Sequence, residues 1–226
     1  MTTPRRVVTG HSPDGVSVVL SDGPVPVSRE LPAEYGDLVV RPPDLTIDSD
    51  ITLHLDAFPV ELKIMGPAHS TNDVGIWLPE QKVMFAGDLA FSGGHPIFLE
   101  GSMLGFRDAV RRMRDLAPSV LLPGHGPVCR GDEVGRVLDD LEAYVGWIEE
   151  LATTSYAAGL TPLEAAQKAA QDSPYADRPE GERVVCNLHR AYVELTVYEP
   201  GHPLNIPTLW PEMVALNGGR PIETHA

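Results

Sequence analysis

At 226 residues, with 42% hydrophobic and 22% charged residues, the chain has the size and balance of one ordinary globular domain, or of a domain with an appendage. Asp and Glu number 32 against 17 Lys and Arg, a formal charge of -15 that argues against nucleic acid, whose binders need a basic stripe. No apolar run approaches the roughly 18 residues of a membrane span.

The opening MTTPRRVV has no apolar stretch behind its arginines, so no signal peptide is expected. Cys129 and Cys186 belong to no CxxC or CxxH pair, which points to a cytoplasmic protein with reduced thiols.

In chain order, RRVVTGHSPDGVSVVLSD (5–22) reads as a β-hairpin about an SPDG turn. Residues 23–50 are rich in Pro and Asp and read as an irregular connector. Four short strands follow at 51–55, 60–65, 74–79 and 82–87, the last ending at Asp88. They make a β-meander joined by DAFP, GPAHSTND and PEQK. The spacing of Met103, Phe106, Val110, Met113 and Leu116 predicts a helix over 103–116, and SVLLP (119–123) a strand running into GHG. Strand, helix and strand in that order suggest an α/β crossover.

The remainder reads as helical. Asp132 is placed to cap a long helix with Val134, Val137, Leu138, Leu141, Val145 and Ile148 on one face. Thr161, Pro162 and Glu164 make a capping box for a second helix. A third spans about 180–196, and a short one in the tail stops at Gly218 and Gly219.

Three potential metal ligands stand where predicted strands end: His69 in PAHSTND, Asp88 in FAGDLAF and His125 in LLPGHGPV. Glycines beside two of them let the backbone bend sharply, and a strand-to-loop junction holds a side chain rigidly at the rim of a sheet. Imidazole and carboxylate suit zinc, iron or manganese. His95 reads as a solvent-exposed loop residue near a pocket mouth, His189 as structural, and Trp147 and Tyr192 as packing residues. A nucleophilic role for Cys129 would need a lowered pKa.

GPAHSTNDVGIWLPEQKVMFAGDL and LLPGHGPV, in this order and spacing, resemble the C-terminal portion of metallo-β-lactamase-fold hydrolases over about residues 35–197. FSGGHPIFLEGS, GLTPLEAAQKA, VCNLHRAYVEL and NGGRPIETHA resemble the branch holding cyclase/thioesterase enzymes of aromatic polyketide pathways. The resemblance implies an α/β fold of mixed α+β character: a partial αββα sandwich, mainly its C-terminal half (35–226), behind an N-terminal hairpin and connector (1–34). It implies that His69 belongs to a first metal site, that Asp88 bridges two metals and that His125 belongs to the second. The family's upstream H-x-H-x-D-H motif has no counterpart, since only His11 and His54 precede His69. The first 30 or so residues faintly resemble the opening hairpin of small cupin proteins.

From this follow the expectations carried forward. The chain is a hydrolase or cyclase acting on a polyketide or thioester-type small molecule, free or carrier-protein-bound, through metal-activated water or carbonyl polarisation. His69, Asp88 and His125 are its catalytic and metal-binding residues, holding at most one zinc per chain, with iron or manganese as alternatives. The competing expectation is a metal-free pseudoenzyme or binding module on the same scaffold. A sheet without its partner sheet would expose apolar residues such as Ile64, Ile76, Trp77 and Phe85, so a homodimer is expected. Neither nucleic acid nor membrane is expected as a partner.

Overall fold

The structure is a computed structural model that describes residues 5–11, 17–24, 43, 45–55, 58–197 and 199–222. It divides into two units, Met1–Ile51 and Thr52–Ala226. In the first, β1 (Arg5–His11) and β2 (Ser17–Pro24) pair antiparallel with a register shift between Val8 and Thr9, and β3 (Leu45–Thr46) joins β1 in parallel. The hairpin therefore forms as its two β-branched runs require. The SPDG turn and most of the connector lie outside the described residues.

In the second unit β4 (Ile51–Leu55), β5 (Phe58–Ile64), β6 (Val74–Leu78) and β7 (Val83–Phe91) lie side by side in sequence order as the expected meander. The chain then crosses through α1 (Met103–Asp115) to β8 (Val120–His125), parallel to β7, and β9 (Cys129–Arg130) closes the edge. One boundary differs from the sequence reading in a way that matters. β7 does not stop at Gly87 but runs on through the buried Leu89, Ala90 and Phe91, so Asp88 lies inside the strand. Its register against β8 shifts on both sides of Gly87, a bulge that re-aims the neighbouring side chain.

The period-2 pattern sorts the sheet into two faces. Trp77, Met84 and Leu121 are buried on one, where α1 and the long α2 (Asp132–Ala157) pack against β7. The other carries the cross-strand row Leu62–Ile76–Phe85–Leu122, in which Ile76 and Phe85 keep 38% and 40% of their surface exposed. Trp77 therefore belongs to the helix-covered face, not with Ile76 and Phe85 as the sequence reading grouped it. A one-residue step along a strand reverses the face.

The helical layer is completed by α3 (Pro162–Ala169), α4 (Arg183–Thr196) and α5 (Ile206–Leu216). α3 opens with the expected capping box: Thr161 Oγ1 accepts from Glu164 N, and Glu164 accepts in return from Thr161 N. For α2 the cap is Gly131 instead of Asp132. Asp132 is the first helical residue, where its charge favours the positive end of the helix dipole. No helix among the described residues is long and apolar enough to cross a membrane. The mixed α/β class expected from the sequence is what the chain adopts.

One face of α4 positions the loop after β7. Arg183, Asn187 and Arg190 recur at helical spacing and are all buried. Arg183 donates to His95 O (2.7 Å), and Asn187 Nδ2 to Pro96 O (2.9 Å) while its Oδ1 accepts from Phe98 N (3.1 Å). Arg190 donates to the carbonyls of Phe98 (3.4 Å), Leu99 (2.5 Å) and His202 (2.8 Å). A loop buried against helices must have its polar backbone groups paired, and these three side chains do so. The same helix reaches back to α1, where Glu194 accepts from Met103 N at 2.9 Å and burial raises its pKa.

Candidate functional site

The loop from β5 to β6 is shaped by its own aspartate. Asp73 O accepts from Met65 N and Gly66 N, and the Asp73 carboxylate accepts from Ala68 N (3.1 Å), Ser70 N (2.9 Å) and Ser70 Oγ (2.8 Å). Asp73 is thereby committed to the turn, as short polar side chains often are. His69 is carried on the loop that results. Its Nε2 lies 3.5 Å from Asp88 Oδ2, while His125 Nε2, at the end of β8, lies 3.4 Å from Asp88 Oδ1. The structure thus brings the three sequence-predicted residues together, with each imidazole meeting a different oxygen of one carboxylate. The Asp88 side chain keeps 45% of its surface exposed, so the cluster is open at the rim of the sheet.

Phe91 and Gly101 escape sequence reasoning, whereas Gly124 is one of the bend glycines already singled out there. Phe91, buried, stacks on His125 with ring centres 4.8 Å apart and planes at 4°, and lies 5.8 Å from the His69 ring. The signal for it was its place on the strand that carries Asp88, opposite His125 in the register. Gly124 is required by close approach: a Cβ there would fall 2.0 Å from Asp88 Oδ1. Gly101 lets the loop after β7 press on the histidine loop, since its Cβ would fall 1.9 Å from Ala68 O, and Ser102 N donates to that same carbonyl.

The remaining candidates lie elsewhere. His54 is exposed on β4, and the side chain of His11 lies outside the described residues. His95 is not the exposed loop histidine expected. It is 2% exposed, its Nδ1 is 3.0 Å from Tyr144 Oη, and burial lowers its pKa to about 4. The apolar helical layer outweighs loop polarity at this position. His189 pairs with Glu212 at 2.7 Å between α4 and α5, as a structural residue does. Tyr192 donates to Leu160 O, and Trp147 packs with Tyr144 and Tyr175. Cys129 is buried, its Sγ 3.4 Å from Pro127 O.

The sequence profile of the Metallo-beta-lactamase superfamily matches residues 5–125. The chain belongs to the metallo-beta-lactamase superfamily. The match begins at Arg5 and so takes in the hairpin that the sequence reading set apart as cupin-like. Among curated proteins, the Beta-lactamase-like protein 2 homolog of Caenorhabditis elegans is 24% identical over 99 residues, 44% of this chain and 31% of that protein. The chain therefore spans less than a third of the length of that relative. Two solved structures share the fold. The stereoselective inverting sec-alkylsulfatase Pisa1 from Pseudomonas sp. gives a TM-score of 0.54 at 20% identity, over 74% of this chain and 28% of Pisa1. A metallo-beta-lactamase family protein from Thermus thermophilus gives 0.53 at 18%, over 70% and 50% of the two chains.

Superfamily membership implies metal, and the donors can be tested for it. Their chemistry is suitable, and the 3.4 and 3.5 Å separations are near the about 3.3 Å between two donors on one tetrahedral zinc. The set is nonetheless too small. Each Asp88 oxygen meets one imidazole, giving two ligands on either side where catalytic zinc takes three from the protein. No group of three or more His, Cys, Asp or Glu among the described residues has metal-holding geometry. His69 Nδ1, the atom that in a zinc-bound histidine donates to an outer partner, is buried with no partner among the described residues. The described residues do not make a complete metal centre.

Proposed function

We propose that the chain is a hydrolase or cyclase acting on a polyketide or thioester-type small molecule, free or carrier-bound, at the Asp88 centre. The observation that carries this reading is the Asp88 carboxylate held between two imidazoles at an open sheet rim, in a chain of a superfamily whose fold is hydrolase-like. The Asp88 carboxylate, open at the rim and oriented by the two imidazole Nε2 atoms, can take a proton from an attacking water and return it to the leaving thiolate. The loop gripped by α4 then forms one wall beside the histidine loop. At most one zinc per chain, with iron or manganese as alternatives, is the cofactor content we propose. We place the protein in the cytoplasm.

A second reading, a binding module without turnover, is favoured by the orphaned His69 Nδ1. The test is thiol release from a short β-ketoacyl thioester by the purified protein, with and without added Zn²⁺, Fe²⁺ or Mn²⁺. Release above the protein-free rate is expected. Saturable binding with no release under any of these conditions would establish the binding module instead.

We propose further that the protein is a homodimer. The row Leu62–Ile76–Phe85–Leu122 contains no charge, so two copies of a chain of charge -15 can approach along it without like charges meeting. A twofold axis lets that patch cover itself, and an interface of about 1,000 Å² or more would be typical. Light scattering should give twice the 24.5 kDa chain mass, and Phe85→Lys should halve it. A wild-type mass of 24.5 kDa at micromolar concentration would exclude the dimer.

A further inference from the structure

The helical layer carries a half-open cavity of about 360 Å³ that none of His69, Asp88 or His125 lines. Ala166 and Ala169 of α3 form an apolar shelf, Trp147 and Tyr175 supply aromatic surface, and Glu182 and Arg220 supply charge. Other charged groups at its wall are already matched. Arg178 pairs with Asp140 at 2.5 Å and lies 4.2 Å from the Tyr175 ring centre, and Arg183 pairs with Glu180 at 2.6 Å. His95 is engaged by Tyr144.

Glu182 and Arg220 differ from these. Glu182 is 7% exposed, stands at the N-cap of α4 without a side-chain capping hydrogen bond, and its carboxylate has no hydrogen-bond or ion-pair partner among the described residues. A carboxylate without a partner, in a residue so little exposed, gains from a countercharge that meets it. Arg220 is exposed at the cavity and donates only to Asn217, to its O at 3.1 Å and its Oδ1 at 3.2 Å, with no carboxylate partner among the described residues. The cavity thus presents one unmatched negative and one unmatched positive group on an otherwise neutralised, apolar and aromatic wall.

We propose that this cavity binds a small zwitterion of amino-acid type with an apolar side chain. The ammonium meets Glu182, with the Trp147 face adding cation–π attraction. The carboxylate meets the Arg220 guanidinium, a fork that takes carboxylates in bidentate fashion. The apolar side chain lies on the alanine shelf. Such a ligand matches both charges at once, which a simple amine or a simple acid does not.

Calorimetric titration of the full chain with L-phenylalanine, phenethylamine and 3-phenylpropionate tests this. L-phenylalanine is expected to bind with a Kd below about 1 mM, and each one-charge probe at least about tenfold more weakly. Glu182→Gln should weaken L-phenylalanine tenfold or more while leaving phenylpropionate unchanged. Arg220→Gln, at an exposed position that does not endanger the fold, should weaken L-phenylalanine and leave phenethylamine unchanged. No binding of L-phenylalanine at about 10 mM, or binding indifferent to Arg220→Gln, or phenylpropionate binding as tightly as L-phenylalanine, would overturn the proposal.

Discussion

Arg190→Ala should destabilise the protein by on the order of 4 kcal/mol, read as a fall of about 10 °C in Tm or a matching shift of the urea midpoint. Arg190 is fully buried and donates to three carbonyls, those of Phe98, Leu99 and His202. Alanine leaves all three without a donor, and each deserted buried acceptor costs about 1–3 kcal/mol. Arg190→Lys should recover only part of the loss, because a single ammonium cannot span three acceptors that a planar fork reaches. Damage should also travel to the site, since the loop that Arg190 holds continues to Gly101 and Ser102, which press on the backbone of Ala68 and His69. A loss below about 1 kcal/mol would mean that Arg190 is not what holds this part of the loop.

Gly124→Ala is the smallest change that should disable the Asp88 centre. The added methyl would stand 2.0 Å from Asp88 Oδ1, 2.7 Å from Gly87 C and 2.8 Å from Asp88 N. Rotating the carboxylate away relieves only the first contact, because the others are backbone. β7 and β8 must therefore separate at this point, at a cost of about 1–3 kcal/mol for overpacking. His125 would lose its oxygen, and a misplacement of about 1 Å in a reacting group can cost roughly a hundredfold in rate. The expected outcome is a folded protein with modestly lowered Tm and thiol release reduced by about two orders of magnitude. Wild-type rates in this variant would show that the Asp88–His125 contact does not matter for turnover.

Local chemistry explains why parts of this structure could be read from the sequence. β4 falls on its expected residues because ITLHL is a short run bounded by breakers, and α1 ends within a residue of its expected bounds because its apolar spacing is regular. The Thr161 box is written in Thr161, Pro162 and Glu164, all within the first turn. His69, Asp88 and His125 were legible because each lies next to a bend. What was not legible depends on contacts distant in sequence. The extension of β7 to Phe91 depends on pairing with β8, and a local reading placed the strand end at glycine, where only a bulge occurs. Phe91 under the histidines, Gly124 against Asp88 and the burial of His95 beside Tyr144 are tertiary facts. Arg183, Asn187 and Arg190 did carry a signal, three polar residues on one face of a helix whose neighbours are apolar. Buried polar groups at helical spacing mark a helix that holds other backbone.

The carboxylate of Asp88 is what should make this cluster a working centre. The most direct test is the thiol-release rate of Asp88→Asn beside that of the wild type, on the same β-ketoacyl thioester and with melting curves for both. Asparagine keeps the shape and removes the charge, and with 45% of the side chain exposed the substitution should leave Tm within about 2 °C. The rate should fall at least about a hundredfold, as when a general base is lost. Equal rates in the two proteins, at equal stability, would contradict it.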